Sequence, residues 1–262
     1  MRESLLYHQL VADNSTQPWL VFLHGAGGST RTWQYQVEAF RPYFKLLLID
    51  LRDHGQSQNV QPALANYTLK HITADITAVL DKYAIDKAHF ITLSMGAFLM
   101  QHLMLSQPKR IISCVLAGAV ILGDWRIRTF TKFALLFNKL LPYKLMYTTF
   151  SWLLMPKQSH QKSRRIYLRQ AEKISPEAYM RWVGLYNEFF NTLRSFADWK
   201  VPAPTLLVMG QSDYVFLNSA KTLARQQKNV ALSIIPNSGH ICNIDNPEDF
   251  NQNCLRFLQS LK

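Results

Sequence analysis

The chain is poor in three things. Cysteine is the first: Cys114, Cys242 and Cys254 are the only ones in 262 residues. Their spacing is no metal-ligand pattern, and an odd number without a secretory leader argues against a disulfide framework. Acidic residues are the second, 17 Asp and Glu against 29 Lys and Arg, for a formal charge of +12. Uninterrupted apolar runs are the third. The stretch from Phe130 to Met155 is broken by Lys132, Lys139, Pro142 and Lys144, within the ~20 residues a membrane span needs, so it is not expected to cross a bilayer. Met1 to Asn14 carries charge and His8 but no apolar core with a small-residue cleavage site, so no signal peptide is read there and a cytoplasmic location is expected. There is no internal repeat or low-complexity segment.

The residues present describe a layered α/β chain. Trp19 to Leu23 and Lys45 to Ile49 are short apolar runs ending in turn-forming residues, the pattern of strands buried on both faces of a parallel sheet. His89 to Ile91, Arg110 to Leu116, Pro204 to Met209 and Val230 to Ile235 read as further strands. Helical periodicity separates them: Thr32 to Phe40, then Leu69 to Tyr83 with Ile72, Ile76, Val79, Leu80 and Tyr83 on one face. A last helix is expected from Pro247 to Leu261, with Phe250, Cys254, Phe257, Leu258 and Leu261 inward. Strands alternating with helices imply a mostly parallel central sheet with helices on both faces. From Leu122 to Asp198 the alternation stops, and aromatics with helix-period apolar residues take over. This divides the chain into a core, 1–121 with 199–262, and a helical cap inserted at 122–198.

The chemistry concentrates at Thr92-Leu93-Ser94-Met95-Gly96. A serine at a sharp strand-to-helix turn has its hydroxyl lifted clear, with the next backbone N–H aimed at the reacting oxygen. Serine is a weak nucleophile until a base takes its proton and an acid orients that base. His240, in Ser238-Gly239-His240, follows the last strand. Asp213, in Gly210-Gln211-Ser212-Asp213, follows the one before; Asp124, just after the strand that follows the elbow helix, is the alternative acid. Two N–H donors must stabilise developing negative charge. Met95 is one, and Ala26, in the turn His24-Gly25-Ala26-Gly27-Gly28-Ser29, is the expected second. That glycine-rich turn lacks the Gly-Lys-Ser/Thr of a P-loop and the Rossmann spacing. Asp50 to Asp53 has no second ligand cluster, so neither metal nor cofactor is expected.

With these motifs in place, the chain resembles the α/β-hydrolase fold superfamily, in its single-domain esterase and lipase-like group. The residues that carry the resemblance are His24 to Gly27 with Trp33 downstream, Asp50-Leu51-Arg52-Asp53-His54-Gly55-Gln56-Ser57, Thr92 to Gly96, Gly210 to Asp213 and Ser238 to His240. They occur in the family's order and cover the chain from about Leu5 to its end. The resemblance implies an α/β-hydrolase fold of seven or eight strands, with Ser94 as nucleophile, His240 as base and then acid, Asp213 as orienting acid, and Ala26 and Met95 as oxyanion donors. It also implies that His24 and His54 organise loops and do no chemistry. Thr92 replaces the usual first glycine of the elbow, and only Ser4 to Val11 precedes the oxyanion strand, which favours seven strands. An acidic residue at position 94 would imply an epoxide hydrolase or dehalogenase.

The expected activity is cleavage of carboxylic esters of small to medium apolar substrates through an acyl-enzyme, with Phe130, Phe133, Leu136, Phe137, Trp152, Leu153 and Tyr186 lining the pocket. Carbon-carbon or thioester cleavage, or ligand sensing with little turnover, are the alternatives. Residues 122–198 hold 13 Lys and Arg against five Asp and Glu, a net of +8. The simplest expectation is a solvated lid. A sharper one has Lys139, Lys144, Arg164, Arg165 and Arg169 attracting an anionic substrate or a weakly bound anionic membrane surface. No nucleic-acid module is recognised, and the sequence does not set the oligomeric state.

Overall fold

The computed structural model describes residues 4–11, 16–61, 63, 65–121, 129, 141–185, 188–193 and 200–261. Its strands are β1 (His8–Val11), β2 (Trp19–Leu23), β3 (Lys45–Ile49), β4 (Ala88–Leu93), β5 (Ile111–Ala117), β6 (Thr205–Gly210) and β7 (Val230–Ile235). Its helices are α1 (Val37–Phe40), α2 (Leu69–Lys82), α3 (Met95–Ser106), α4 (Tyr143–Leu154), α5 (Gln161–Ala171), α6 (Pro176–Gly184), α7 (Leu217–Gln226), α8 (Cys242–Asp245) and α9 (Pro247–Gln259).

The seven strands form one sheet in the order β1-β3-β2-β4-β5-β6-β7. Only β1 runs antiparallel, pairing His8 with Ile49 and Val11 with Leu46. Alternation explains why the inner strands carry apolar residues on both faces. Val21, Leu23, Leu47, Ile49 and Phe90 face the layer built by Ile72, Ile76, Leu80, Leu99 and Leu223. Leu20, Phe22, Leu46, Leu48 and Ile91 face the opposite layer, against Trp33, Phe40, Phe250, Cys254 and Leu258. Each of these side chains contributes about 1.5–3 kcal/mol on burial, so both faces must be covered by helices. The edge strands β1 and β7 are only partly buried.

Local signals set most element ends. The Thr68 side chain accepts the His71 N–H at the start of α2, and Asn246 accepts the Asp249 N–H ahead of Pro247 in α9, both relieving unpaired donors of a first helical turn. Strand β6 starts after Pro204, which has no N–H to give; its carbonyl still accepts from Cys114 N. The helix expected over Thr32 to Phe40 is two short pieces, a 3-10 turn at Thr30–Trp33 and then α1. Tertiary contacts interrupt it: Trp33 is buried 5.1 Å from the Phe22 ring, and the Gln36 amide donates to Asn243 O and Asn251 Oδ1. In α9, Phe250, Cys254 and Leu258 are buried as expected, but Leu261 lies beyond the helix end and is 36% exposed.

The strand order reverses direction between β2 and β4: the chain leaves β2 toward β3, then crosses back to β4 on the other side. In parallel sheets such a reversal leaves a crevice outside the strands' C-terminal ends. Helices α4 to α6, which stand between β5 and β6 in sequence, lie over this crevice. Arg181 of α6 pairs with Asp53 at 2.9 Å, Trp182 Nε1 donates to Arg52 O, and the His240 N–H donates to Leu154 O at the end of α4. The two boundary residues of the expected insertion, 122 and 198, lie outside the described residues.

One contact sets how closely β2 and β4 approach at their ends. A Cβ on Gly96 would lie 2.5 Å from Leu23 O and 2.6 Å from His24 O, so only glycine fits. Gly96→Ala is expected to lower stability by about 1–3 kcal/mol or more through overpacking against rigid backbone. Urea denaturation checks this; an unshifted midpoint would mean that the strand ends are free to part.

Candidate active site

Ser94 sits at the end of β4 and opens α3, with φ +51° and ψ −110°. A side chain in this sparsely allowed region is held there by surrounding structure. Here the Ser94 N–H donates to Ala117 O of β5, and its carbonyl accepts from Phe98 in the first turn of α3. Thr92 is tolerated ahead of it because that residue is still in extended strand, fully buried, with its hydroxyl donating to Val115 O.

The hydroxyl is 2.9 Å from His240 Nε2, and His240 Nδ1 is 2.8 Å from Asp213 Oδ2. Asp213 is 0% exposed and also accepts the Phe216 N–H on Oδ1. An ionised carboxylate only accepts, so Nδ1 carries the imidazole proton and Nε2 is left to accept from the Ser94 hydroxyl. The Phe216 ring lies 5.3 Å from the imidazole. The structure therefore brings Ser94, Asp213 and His240 together in one hydrogen-bonded row. Asp124 lies outside the described residues.

The two expected N–H donors flank Ser94: Met95 follows it in the chain, and Ala26 lines the same cavity as Ser94. Met95 is the first residue of α3, whose leading N–H groups have no intrahelical acceptor. Ala26 lies in a turn closed by the Gly28 N–H to Gly25 O bond, which depends on Gly27 at φ +72°. Neither N–H donates to a protein acceptor among the described residues. The turn itself rests on buried polar groups. His24 Nε2 accepts the Leu51 N–H at 2.9 Å, so Nδ1 is the protonated nitrogen and donates to Gly25 O at 2.8 Å. Asp50 accepts the Thr30 N–H and the Gln56 N–H, one on each oxygen. Asp53, at φ +66°, accepts from Tyr67 and from the Arg181 guanidinium. His24, Asp50 and Asp53 thus hold loops in place, and no group of three or more His, Cys, Asp or Glu among the described residues is placed to bind a metal.

A cavity of about 50 Å³ opens beside Ser94, lined by Ala26, Leu154, Ile166, Tyr167, Ile241 and Ile244 among others. That is well below the ~300–1,000 Å³ of typical small-molecule sites, so it admits a short acyl group with the helices as they stand. Of the pocket residues expected from sequence, Trp152 and Leu153 are 54% and 46% exposed and take no part in this lining. With Leu154 facing the cavity, the helical repeat turns its two predecessors away, and the Arg164 guanidinium stacks 3.7 Å over Trp152. Phe130, Phe133, Leu136, Phe137 and Tyr186 lie outside the described residues. The three cysteines are buried and free, as expected.

Sequence reading did not find His160 and Asp245. The Asp245 carboxylate accepts the Gly239 N–H at 2.8 Å, and His160, fully buried, packs so closely that a Cβ on Gly239 would meet its ring at 2.9 Å. The two side chains therefore seat the loop that carries His240. Burial raises the Asp245 carboxyl above its ordinary range and lowers the His160 imidazole. Asp245 lies five residues past His240 with no motif around it, and His160 comes from the inserted helices; only the fold makes them neighbours.

The chain belongs to the alpha/beta hydrolase family, whose sequence profile matches residues 20–253. The chain is 33% identical over 102 residues to 3-oxoadipate enol-lactonase 1 of Acinetobacter baylyi, covering 39% of this chain and 37% of that one. It is 24% identical over 278 residues to epoxide hydrolase 3 of Mus musculus, covering 98% of this chain and 75% of that one. Among solved structures, the enol-lactonase from Burkholderia xenovorans LB400 superposes with a TM-score of 0.81 at 19% identity, covering 97% of this chain and 96% of that one. The chain spans 27% and 37% of the length of the first curated relatives it matches. No helix among the described residues is long and apolar enough to cross a membrane.

Burial lowers His24 from 6.5 to about 4 and His54 from 6.5 to about 3. Unfolded, both rings take up a proton near pH 6.5, so below that the unfolded state binds more protons and stability falls. The loss is up to about 1.4 kcal/mol per pH unit for each ring and continues until the folded-state value is reached. Urea midpoints should therefore drop steadily from pH 6.5 to about pH 4; a flat profile would mean that the rings are not buried neutral.

Proposed function

We propose that this chain is a serine hydrolase that cleaves carboxylic esters through an acyl-enzyme on Ser94. The observation that carries the reading is the row Asp213-His240-Ser94, with its protons assigned by hydrogen bonding, at a strained turn beside the Ala26 and Met95 N–H groups, which have no protein acceptor among the described residues. His240 Nε2 takes the Ser94 proton as the oxygen attacks the ester carbonyl. The imidazolium that forms is stabilised by Asp213, and the tetrahedral oxyanion faces the Ala26 and Met95 N–H groups. His240 then gives its proton to the departing alcohol oxygen. A water, deprotonated by the same nitrogen, releases the acid and restores the hydroxyl.

The likeness to enol-lactonases favours one refinement, that the ester is internal. A lactone needs the same attack and the same donors, but its leaving oxygen stays tethered to the acyl group. Serine at position 94 provides the acyl-enzyme route, and the short cavity favours a small acyl part.

Hydrolysis of p-nitrophenyl esters from acetyl to dodecanoyl, beside a small lactone, tests the reading. Ser94→Ala and His240→Ala should each lower kcat by on the order of 10⁴-fold or more, and Asp213→Asn by about 10⁴-fold. The optimum should fall at short chains. Turnover that survives in Ser94→Ala would sink the acyl-enzyme, and loss in Ser94→Ala with none in Asp213→Asn would remove Asp213 from the mechanism.

A further inference from the structure

The small cavity is not closed on all sides. A groove of about 910 Å³ shares Gly28, Ile166 and Gln170 with it and runs outward between the Ser29–Thr30 turn and α5. The cavity wall is mostly apolar, whereas the groove is polar and carries the cations Arg31, Arg169 and Lys173. These have not been spent on the fold. Arg41, Arg52, Arg110 and Arg181 pair with carboxylates, and Arg164 donates to the Met155 and Lys157 carbonyls. Arg31 and Arg169 have no carboxylate partner among the described residues, and both are exposed. Two acids line the same groove. Asp50 is 1% exposed with each oxygen already accepting a backbone N–H, which leaves Glu172 as the one uncommitted carboxylate facing three cations.

We propose that the substrate cleaved at Ser94 carries a carboxylate at its non-reacting end, which Arg31 and Arg169 hold in this groove while the acyl carbon enters the apolar cavity. The proposal rests on the ester-cleaving reading and narrows it to short esters or lactones with an anionic arm. A guanidinium presents a planar fork that matches a carboxylate through two parallel hydrogen bonds. Arg31 follows the turn that carries Ala26, and Arg169 belongs to the helix whose Ile166 and Gln170 wall the cavity, so one bound carboxylate would tie the substrate to both sides of the opening. The basic excess of the inserted helices then has a local use: Arg164 is occupied within the fold, Lys139 lies outside the described residues, and Arg169 faces substrate.

The test compares p-nitrophenyl hydrogen glutarate with p-nitrophenyl valerate, esters of equal length that differ by a terminal carboxylate. At low salt the native protein should favour the glutarate in kcat/KM by roughly tenfold, and 0.5 M NaCl should erode that preference. Arg169→Gln and Arg31→Gln should each raise KM for the glutarate several-fold more than KM for the valerate. Arg225→Gln, at the far end of α7, should leave the preference intact. Equal handling of the two esters, or variants that shift both alike, would overturn the anionic arm while leaving ester cleavage standing. Should neither ester turn over, the ester-cleaving reading fails, and calorimetric titration of Ser94→Ala with the glutarate ester decides the groove by itself. Binding weakened by Arg169→Gln supports the proposal; no binding, or binding indifferent to that change, overturns it.

Discussion

The contact of Gly96 with the Leu23 and His24 carbonyls is the constraint on which the site depends. It lets the start of α3 press against the end of β2, which is possible because β4 pairs directly with β2. Close approach brings the His24–Gly25 turn against Ser94, where a Cβ on Gly25 would lie 3.2 Å from the Ser94 Cβ, and Ser94 itself is held at φ +51°. A side chain at residue 96 would push the Ser94 turn away from the end of β2. The strain at Ser94 is sustained by the ladder bonds that β4, buried along its whole length, makes to β2 and β5.

A second layer of buried polar groups lies behind that turn. His24, Asp50, Ser57 and His54 bond to backbone N–H and C=O groups that no strand or helix satisfies, and buried backbone groups need such partners. Burial lowers the pKa of both imidazoles, to about 4 for His24 and about 3 for His54, so the layer can hold the glycine-rich turn without placing a full positive charge under it. The only imidazole bonded to the Ser94 hydroxyl is His240, whose partner is a carboxylate. Neighbouring histidines thus differ in role because their hydrogen-bond partners differ.

The inserted helices are joined to the core at points that matter for chemistry. Leu154 O accepts the His240 N–H, His160 packs on Gly239, and Arg181 reaches Asp53. The helices that wall the cavity therefore also hold the His240 loop, and movement of α4 and α5 would disturb that loop as well as the opening. The groove on the α5 side is where the walls are charged and, among the described residues, Arg31 and Arg169 have no carboxylate partner, so the polarity of the site is graded from a mostly apolar floor to a basic mouth.

The inner strands could be read from sequence because their apolar runs end in turn residues, and β2, β3 and β7 begin and end where the runs do. Ser94, His240 and Asp213 were legible because each follows a strand in a fixed order, and chain order along a parallel sheet is also order along its edge. Less was legible where contacts come from afar. The Thr32 to Phe40 segment has helical periodicity, but Gln36 and Trp33 are claimed by residues some 200 positions on and by the sheet. Trp152 and Leu153 looked like pocket residues from composition, whereas the rotation of α4 selected Leu154. Composition and local pattern determined the class of fold and which residues form the Asp213-His240-Ser94 row, because those depend on short-range turns and on strand order. The cavity wall, the Asp245 and His160 seat and the unpaired arginines of the groove were decided by tertiary structure alone, since each depends on which face a helix turns toward a sheet edge built from distant parts of the chain.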